Sequence, residues 1–190
     1  MASAEVTPTV ETSEKPHSRE VRMVLHWLRD LSLSVVIAIM IILFLYQPVK
    51  VEGTSMMPAL VDQERIFINK FVYHSVGSIE RGDMVVFWYP RDPSKSYIKR
   101  VIGVPGDRVR IDRGAVYVNG ASLKEPYVPP QYHDQQSMAE MVVQPDEYFV
   151  LGDHRSSSND SRAWGTVPRH YIYGKAVFVY WPLDKMGLLR

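Results

Sequence analysis

No cysteine occurs among the 190 residues, so disulfides, thiolate metal sites and cysteine nucleophiles are all excluded. That absence leaves the redox compartment open and permits life outside the cytoplasm. Surplus charge is lacking too. Lys and Arg number 22 against 21 Asp and Glu, a net charge of +1 that gives no electrostatic reason to expect nucleic acid as a partner. The six histidines show no ligand spacing such as H-E-x-x-H, so no metal centre is expected. No glycine-rich phosphate loop is present; Gly103-Val104-Pro105-Gly106 reads as a strand terminator.

What is present begins with a polar segment. Residues 1–22 hold Pro8, Pro16 and many Ser and Thr, and too little apolar surface to offset the entropy of ordering. A disordered cytoplasmic tail is expected there. Sixteen uncharged residues then run from Leu31 to Tyr46, a helical length of roughly 24 Å against a hydrocarbon core of about 30 Å. Leu25–Leu28 extend the run, with Trp27 and Tyr46 as interfacial aromatics and Arg29 able to snorkel. A transmembrane anchor over 23–47 is the expectation, stopped by Gln47 and Pro48. No small-x-small cleavage site follows Tyr46, which argues against a removed signal peptide, and the absence of a polar face argues against a core helix. Lys15, Arg19, Arg22 and Arg29 precede the run, whereas only Lys50 and Arg65 follow closely. This bias predicts a single-pass, type II orientation in a cell membrane, with the amino terminus cytoplasmic and residues 48–190 outside. A thylakoid membrane is equally compatible.

From Val49 onward the pattern is β, with no convincing amphipathic helix. Strands are expected at 65–69, 83–89, 97–104, 108–112, 115–118, 147–151 and 175–180, separated by signals such as Arg81-Gly82, Arg113-Gly114 and Asn119-Gly120. A looser loop rich in Pro and Gln covers 126–136. Short strands without intervening helices imply a mainly β fold: an antiparallel sheet or barrel-like catalytic domain preceded by one transmembrane helix.

Three stretches can carry chemistry. Lys99 sits in the apolar run Tyr97-Ile98-Lys99-Arg100-Val101-Ile102, sharing a strand face with Tyr97 and Val101. Apolar neighbours would desolvate its amine and favour the neutral form, a base able to activate a serine; the alternative is a lysine that snorkels to solvent. Ser55 follows Gly53-Thr54 and precedes Met56-Met57-Pro58, either as filler of a plain turn or as a nucleophile whose own amide can hold an oxyanion. The stretch Gly152–Arg162 packs hydroxyls, carboxylates and arginines after a strand, either as a solvated loop or as part of a site. His154 is a poor triad member, because adjacent Asp153 would point elsewhere on an extended chain.

Together these stretches resemble type I signal peptidases, the bacterial leader peptidase family of membrane serine–lysine proteases, in a compact single-span form. Gly53–Leu60 looks like the nucleophile box, Arg81–Phe87 like the second box, Tyr97–Asp107 like the lysine box, and Gly152–Arg162 like the last. The resemblance implies that Ser55 is the nucleophile and Lys99 the general base, with no metal or organic cofactor. It implies that the Ser158 hydroxyl bonds and orients the lysine amine, and that Asp153, Asp160 and Arg162 brace the site. Met56, Leu60, Val86, Tyr97 and Ile98 fall where the family lines its substrate pockets, which accept small side chains and give an Ala-x-Ala preference. Exported preproteins and the lipid bilayer are the implied partners, with the protein-export machinery a further one. One departure is Gly53, where some members carry a serine that helps hold the oxyanion. Met56, Met57, Phe87 and Trp88 either offer an apolar surface to lipid or pack in an ordinary core.

Overall fold

The computed structural model describes residues 16–75 and 77–189. Most of the expected tail, residues 1–15, lies outside them. From Pro16 the chain is already helical, so residues 16–22 differ from the expectation. Helix α1 runs Pro16–Leu45, and Glu20–Ile42 within it is long and apolar enough to cross a membrane, with a mean hydropathy of 1.8. Its side chains are exposed, as a helix made for an apolar solvent requires. Arg29 and Asp30 pair at 2.9 Å, so the two charges inside the span offset each other.

The rest of the chain forms a second unit, residues 44–190, whose regular structure is mainly antiparallel strands joined by turns and loops. The larger sheet contains β1 (Tyr46–Lys50), β2 (Arg65–Asn69), β3 (Met84–Tyr89) and β4 (Asp92–Gly103). A second, four-stranded sheet holds β5 (Arg108–Asp112), β6 (Ala115–Val118), β7 (Ala121–Ser122) and β8 (Met138–Val142). The chain then returns to the larger sheet as β9 (Glu147–Leu151), β10 (Val167–Pro168), β11 (Ile172–Trp181) and β12 (Gly187–Leu188). The order across the larger sheet is β1-β2-β11-β3-β4-β9-β10, with β12 also on β11, and across the smaller β7-β6-β5-β8. Helical turns after Val49 are short, as at α2 (Val72–Ser75) and α3 (Ser161–Trp164).

Alternation explains how β3 serves two faces. Val85 and Phe87 enter one core cluster with Val101, Val150 and Trp164; Met84 and Val86 enter another with Met56, Leu60, Ile66 and Ile68. Ile102, Val109, Val118 and Phe149 join a third cluster that ties the small sheet to the large one. Strand β4 follows the same rule, with Tyr97 packing against the first cluster and Ile98 against the second. The lipid-facing alternative for Met56, Met57, Phe87 and Trp88 is therefore dissolved. Phe87 and Met56 are core residues, and of the four only Trp88 is strongly exposed.

Strands β3 and β4 pair along almost their whole length, with Val85 opposite Lys99 and Phe87 opposite Tyr97. On its other side β4 meets β9 only from Arg100 to Gly103. Ser96–Ile98 thus present a strand edge with no ladder partner among the described residues. Because Phe87 is fully buried at this junction, Phe87→Ala should lower stability by about 3–5 kcal/mol. Urea unfolding of the detergent-solubilised chain checks this, and a loss below about 1 kcal/mol would contradict the packing described.

Candidate active site

The loop bearing Ser55 leaves β1 and is closed at its base. Val51 N–H donates to Glu64 O at 2.8 Å, and Gln63 N–H donates to Val51 O at 2.9 Å. Two hydrophobic side chains pin it from below, Met56 and the wholly buried Leu60. Gly53 N–H donates to the Asp62 carboxylate at 2.8 Å. Gly53 adopts φ +94°, a conformation that an L side chain takes only with strain. In this backbone a side chain at 53 would work against the turn. The Ser55 amide has no hydrogen-bond partner among the described residues and is free to donate.

Lys99 reaches this loop from the middle of β4. Its amine lies 2.6 Å from Ser55 Oγ and donates to Ile98 O at 3.0 Å; it stands 5.4 Å from the centre of the Tyr97 ring. Lys99 is 3% exposed. Burial pushes its pKa down to about 8, while the more distant charges of Asp160 and Asp153 pull the other way. The pair thus meets the geometric condition for proton transfer, and the lysine holds a usable neutral fraction near neutrality. At pH 7 that fraction is about one in ten, against roughly one in three thousand for an ordinary lysine. In the neutral state the hydrogen bond reverses, and Ser55 O–H donates to the amine lone pair.

The loop after β9 closes the site from the other side. His154 N–H donates to Ser55 O at 3.1 Å, and its ring Nδ1 lies 3.2 Å from Thr54 O. Gly152 N–H donates to Asp160 Oδ2 at 3.1 Å. Asp160 caps α3 and accepts from Arg162 Nε and Nη2, both at 2.8 Å. Asp153 forms a bidentate pair with Arg100 at 2.9 and 2.7 Å, both side chains being buried. Ser158 Oγ is buried without a hydrogen-bond partner, so the expected bond to the lysine amine is not formed here. It lies close by all the same. A methyl group on Gly152 would collide with both Ser158 Oγ and Ser55 O.

These elements enclose a cleft of about 470 Å³. Met56, Val86, Tyr97 and Ile98 line it, together with Val49, Tyr173, Ser157 and Asn159. Leu60 does not: it lies in the core beneath and acts by fixing the loop. Sequence reasoning missed Gly152, whose lack of a side chain lets the two loops meet. It also missed Glu125, which pairs with Arg155, and Asp134, which pairs with Arg162, because their partners stand 30 and 28 residues away. Among the described residues no group of three or more His, Asp or Glu side chains could hold a metal ion.

A family model described as "Signal peptidase, peptidase S26" matches residues 24–181. The chain belongs to the signal peptidase family. Among curated signal peptidases, it is 39% identical over 187 residues to "Probable signal peptidase I-2" of Synechocystis sp., covering 94% of this chain and 83% of that one. It is 37% identical over 185 residues to a "Signal peptidase I" of Bacillus amyloliquefaciens, covering 92% and 94%. A crystal structure of a signal peptidase I from Enterococcus faecalis V583 aligns at a TM-score of 0.48 and 31% identity, over 53% of this chain and 98% of that one.

Two substitutions in this signal peptidase test the packing around Ser55. Gly152→Ala should reduce turnover at least about a hundredfold by separating the two loops, if the Ser55–Lys99 contact takes part in the reaction, because small displacements of reacting groups are costly. Gly53→Ser should cost about 1–2 kcal/mol of stability through its backbone conformation and bring no gain in rate. Thermal unfolding and peptide cleavage assays of each variant check both; a fully active Gly152→Ala would refute the close approach.

Proposed function

We propose that this chain is a membrane-bound endopeptidase that cuts hydrophobic N-terminal signal peptides from exported preproteins, using Ser55 as nucleophile and Lys99 as general base. The observation that carries the reading is the 2.6 Å contact between a buried lysine amine and the Ser55 hydroxyl at the wall of a cleft. Family membership supports the reaction class. The apolar span Glu20–Ile42 supports a membrane anchor, and the excess of Lys and Arg before it supports a cytoplasmic amino terminus.

The preprotein enters the cleft in extended form and adds its backbone to the open edge of β4 at Ser96–Ile98. Tyr97, Ile98, Val86 and Met56 leave shallow apolar recesses next to Ser55, which suit the alanines of an Ala-x-Ala site. Neutral Lys99 takes the Ser55 proton as Oγ bonds to the scissile carbonyl carbon, and the Ser55 N–H steadies the oxyanion. The ammonium returns that proton to the departing amine as the C–N bond breaks, leaving the signal peptide esterified to Ser55. Lys99 then deprotonates a water, whose attack releases the signal peptide acid and restores the serine hydroxyl. Asp153, Asp160 and Arg162 hold the surrounding loop without touching the scissile bond. Ser158 is assigned to orient the lysine amine, which requires its side chain to turn toward Nζ, since its Oγ has no partner where it stands.

Cleavage of an Ala-x-Ala preprotein in detergent micelles, from about pH 6 to about pH 10, tests this. The wild-type rate should climb about tenfold per unit below pH 8 and level off above it, because the active form is the deprotonated amine and its pKa is about 8. Ser55→Ala and Lys99→Ala should each lower the rate at least about a thousandfold. Cutting that survives either change overturns the assignment.

A further inference from the structure

The segment 123–137 joins β7 to β8 in the small sheet and contributes nothing to the lining of the cleft. Its side chains nevertheless end on the machinery behind Ser55 and Lys99. Glu125 accepts from Arg155 Nη1 at 2.8 Å and also pairs with Nη2; Arg155 Nε in turn donates to Gly152 O at 3.0 Å. Asp134 pairs with Arg162, the guanidinium that also grips Asp160 and donates to Arg155 O at 2.8 Å. The Tyr127 ring covers the Arg100 guanidinium at 4.1 Å, and the Tyr132 ring meets His154 edge-on at 4.6 Å. All four carboxyl and guanidinium side chains of the two ion pairs are more than nine-tenths buried.

Buried guanidiniums need full compensation, since an unpaired one costs several kcal/mol. Arg162 has Asp160 as a partner within its own loop, but Arg155 finds its carboxylate only in the strap. The loop's backbone is therefore hung from outside: Gly152 O on Arg155, Arg155 O on Arg162, and both arginines on strap carboxylates. We propose that Glu125 and Asp134 are positioning residues for hydrolysis, acting through Arg155 and Arg162 to keep Gly152 and Ser158 pressed against the Ser55 loop. The proposal rests on the Ser55–Lys99 reading above. It gives the small sheet a role in turnover rather than in substrate binding, because no residue of the segment 123–137 lines the cleft.

Full-length Glu125→Gln, Asp134→Asn and their double variant, compared in micelles by preprotein cleavage and thermal unfolding, test it. Each single change should lower kcat about tenfold to a hundredfold with KM within about twofold, and the double should lose less than the product because both act on one loop. Glu140→Gln, which breaks only an exposed pair with Arg108 on the same sheet, should leave kcat unchanged. A kcat that tracks only the folded fraction, or one unchanged in folded protein, overturns the proposal, as does a loss confined to KM. Should the neutral variants not fold, Glu125→Asp and Asp134→Glu keep the charge but shift it. An unchanged kcat there overturns the proposal equally, and a reduced kcat at wild-type KM supports it. Wild-type cutting that is abolished by Ser55→Ala, measured alongside, separates failure of this proposal from failure of the site assignment.

Discussion

An amine as dry as that of Lys99 stays a base only if no carboxylate comes into direct contact with it. Two carboxylates are near enough to raise its pKa, Asp160 and Asp153. Each is taken up by a guanidinium: Asp160 by Arg162 and Asp153 by Arg100. The arginines thus let carboxylates shape the loop without handing their charge to the lysine. Burial prevails, and the amine settles near 8 rather than at its ordinary value. Some of the surrounding architecture follows from this arrangement, since buried guanidiniums must themselves be anchored, and a second carboxylate on Arg162, that of Asp134, comes from the segment that joins two strands of the smaller sheet.

The β-domain can be read as two sheets that divide the labour. The larger one supplies the two groups proposed to react, with Lys99 in the middle of β4 and Ser55 on a loop held down by Met56 and Leu60. The smaller one supplies carboxylates and aromatic rings that meet the loop after β9 from behind. The shared core of Ile102, Val109 and Phe149 keeps the two in fixed register. Neither half builds the site alone.

Much of this was legible in the sequence because it is local. The apolar run Met84–Trp88 after Arg81-Gly82 and the alternation in Arg108–Asp112 marked strands, the uncharged run to Tyr46 marked the apolar helix, and an apolar setting for Lys99 allowed a depressed lysine beside a solvated one. What escaped was non-local or made by absence. The strand Met138–Val142 (Met-Ala-Glu-Met-Val) carries no apolar–polar alternation to mark it, and it is held in place by pairing with β5. Gly152 matters through a side chain it does not have. Glu125 and Asp134 look like solvated acids until folding brings arginines to them. Leu60 shows the opposite error, a motif residue assigned to substrate that serves the core beneath.

The unpaired edge of β4 has a consequence for timing. Such an edge grips the amide repeat common to all polypeptides, so by itself it does not distinguish a signal peptide from any other stretch of small residues. In a finished protein those stretches are already paired or buried and offer no free backbone. A chain still in transit offers it everywhere. Under the proposed binding mode, the same edge makes the reaction a reader of maturity: a client lies along β4 only before it has folded around its cleavage site, and folding itself closes the window for unwanted cuts.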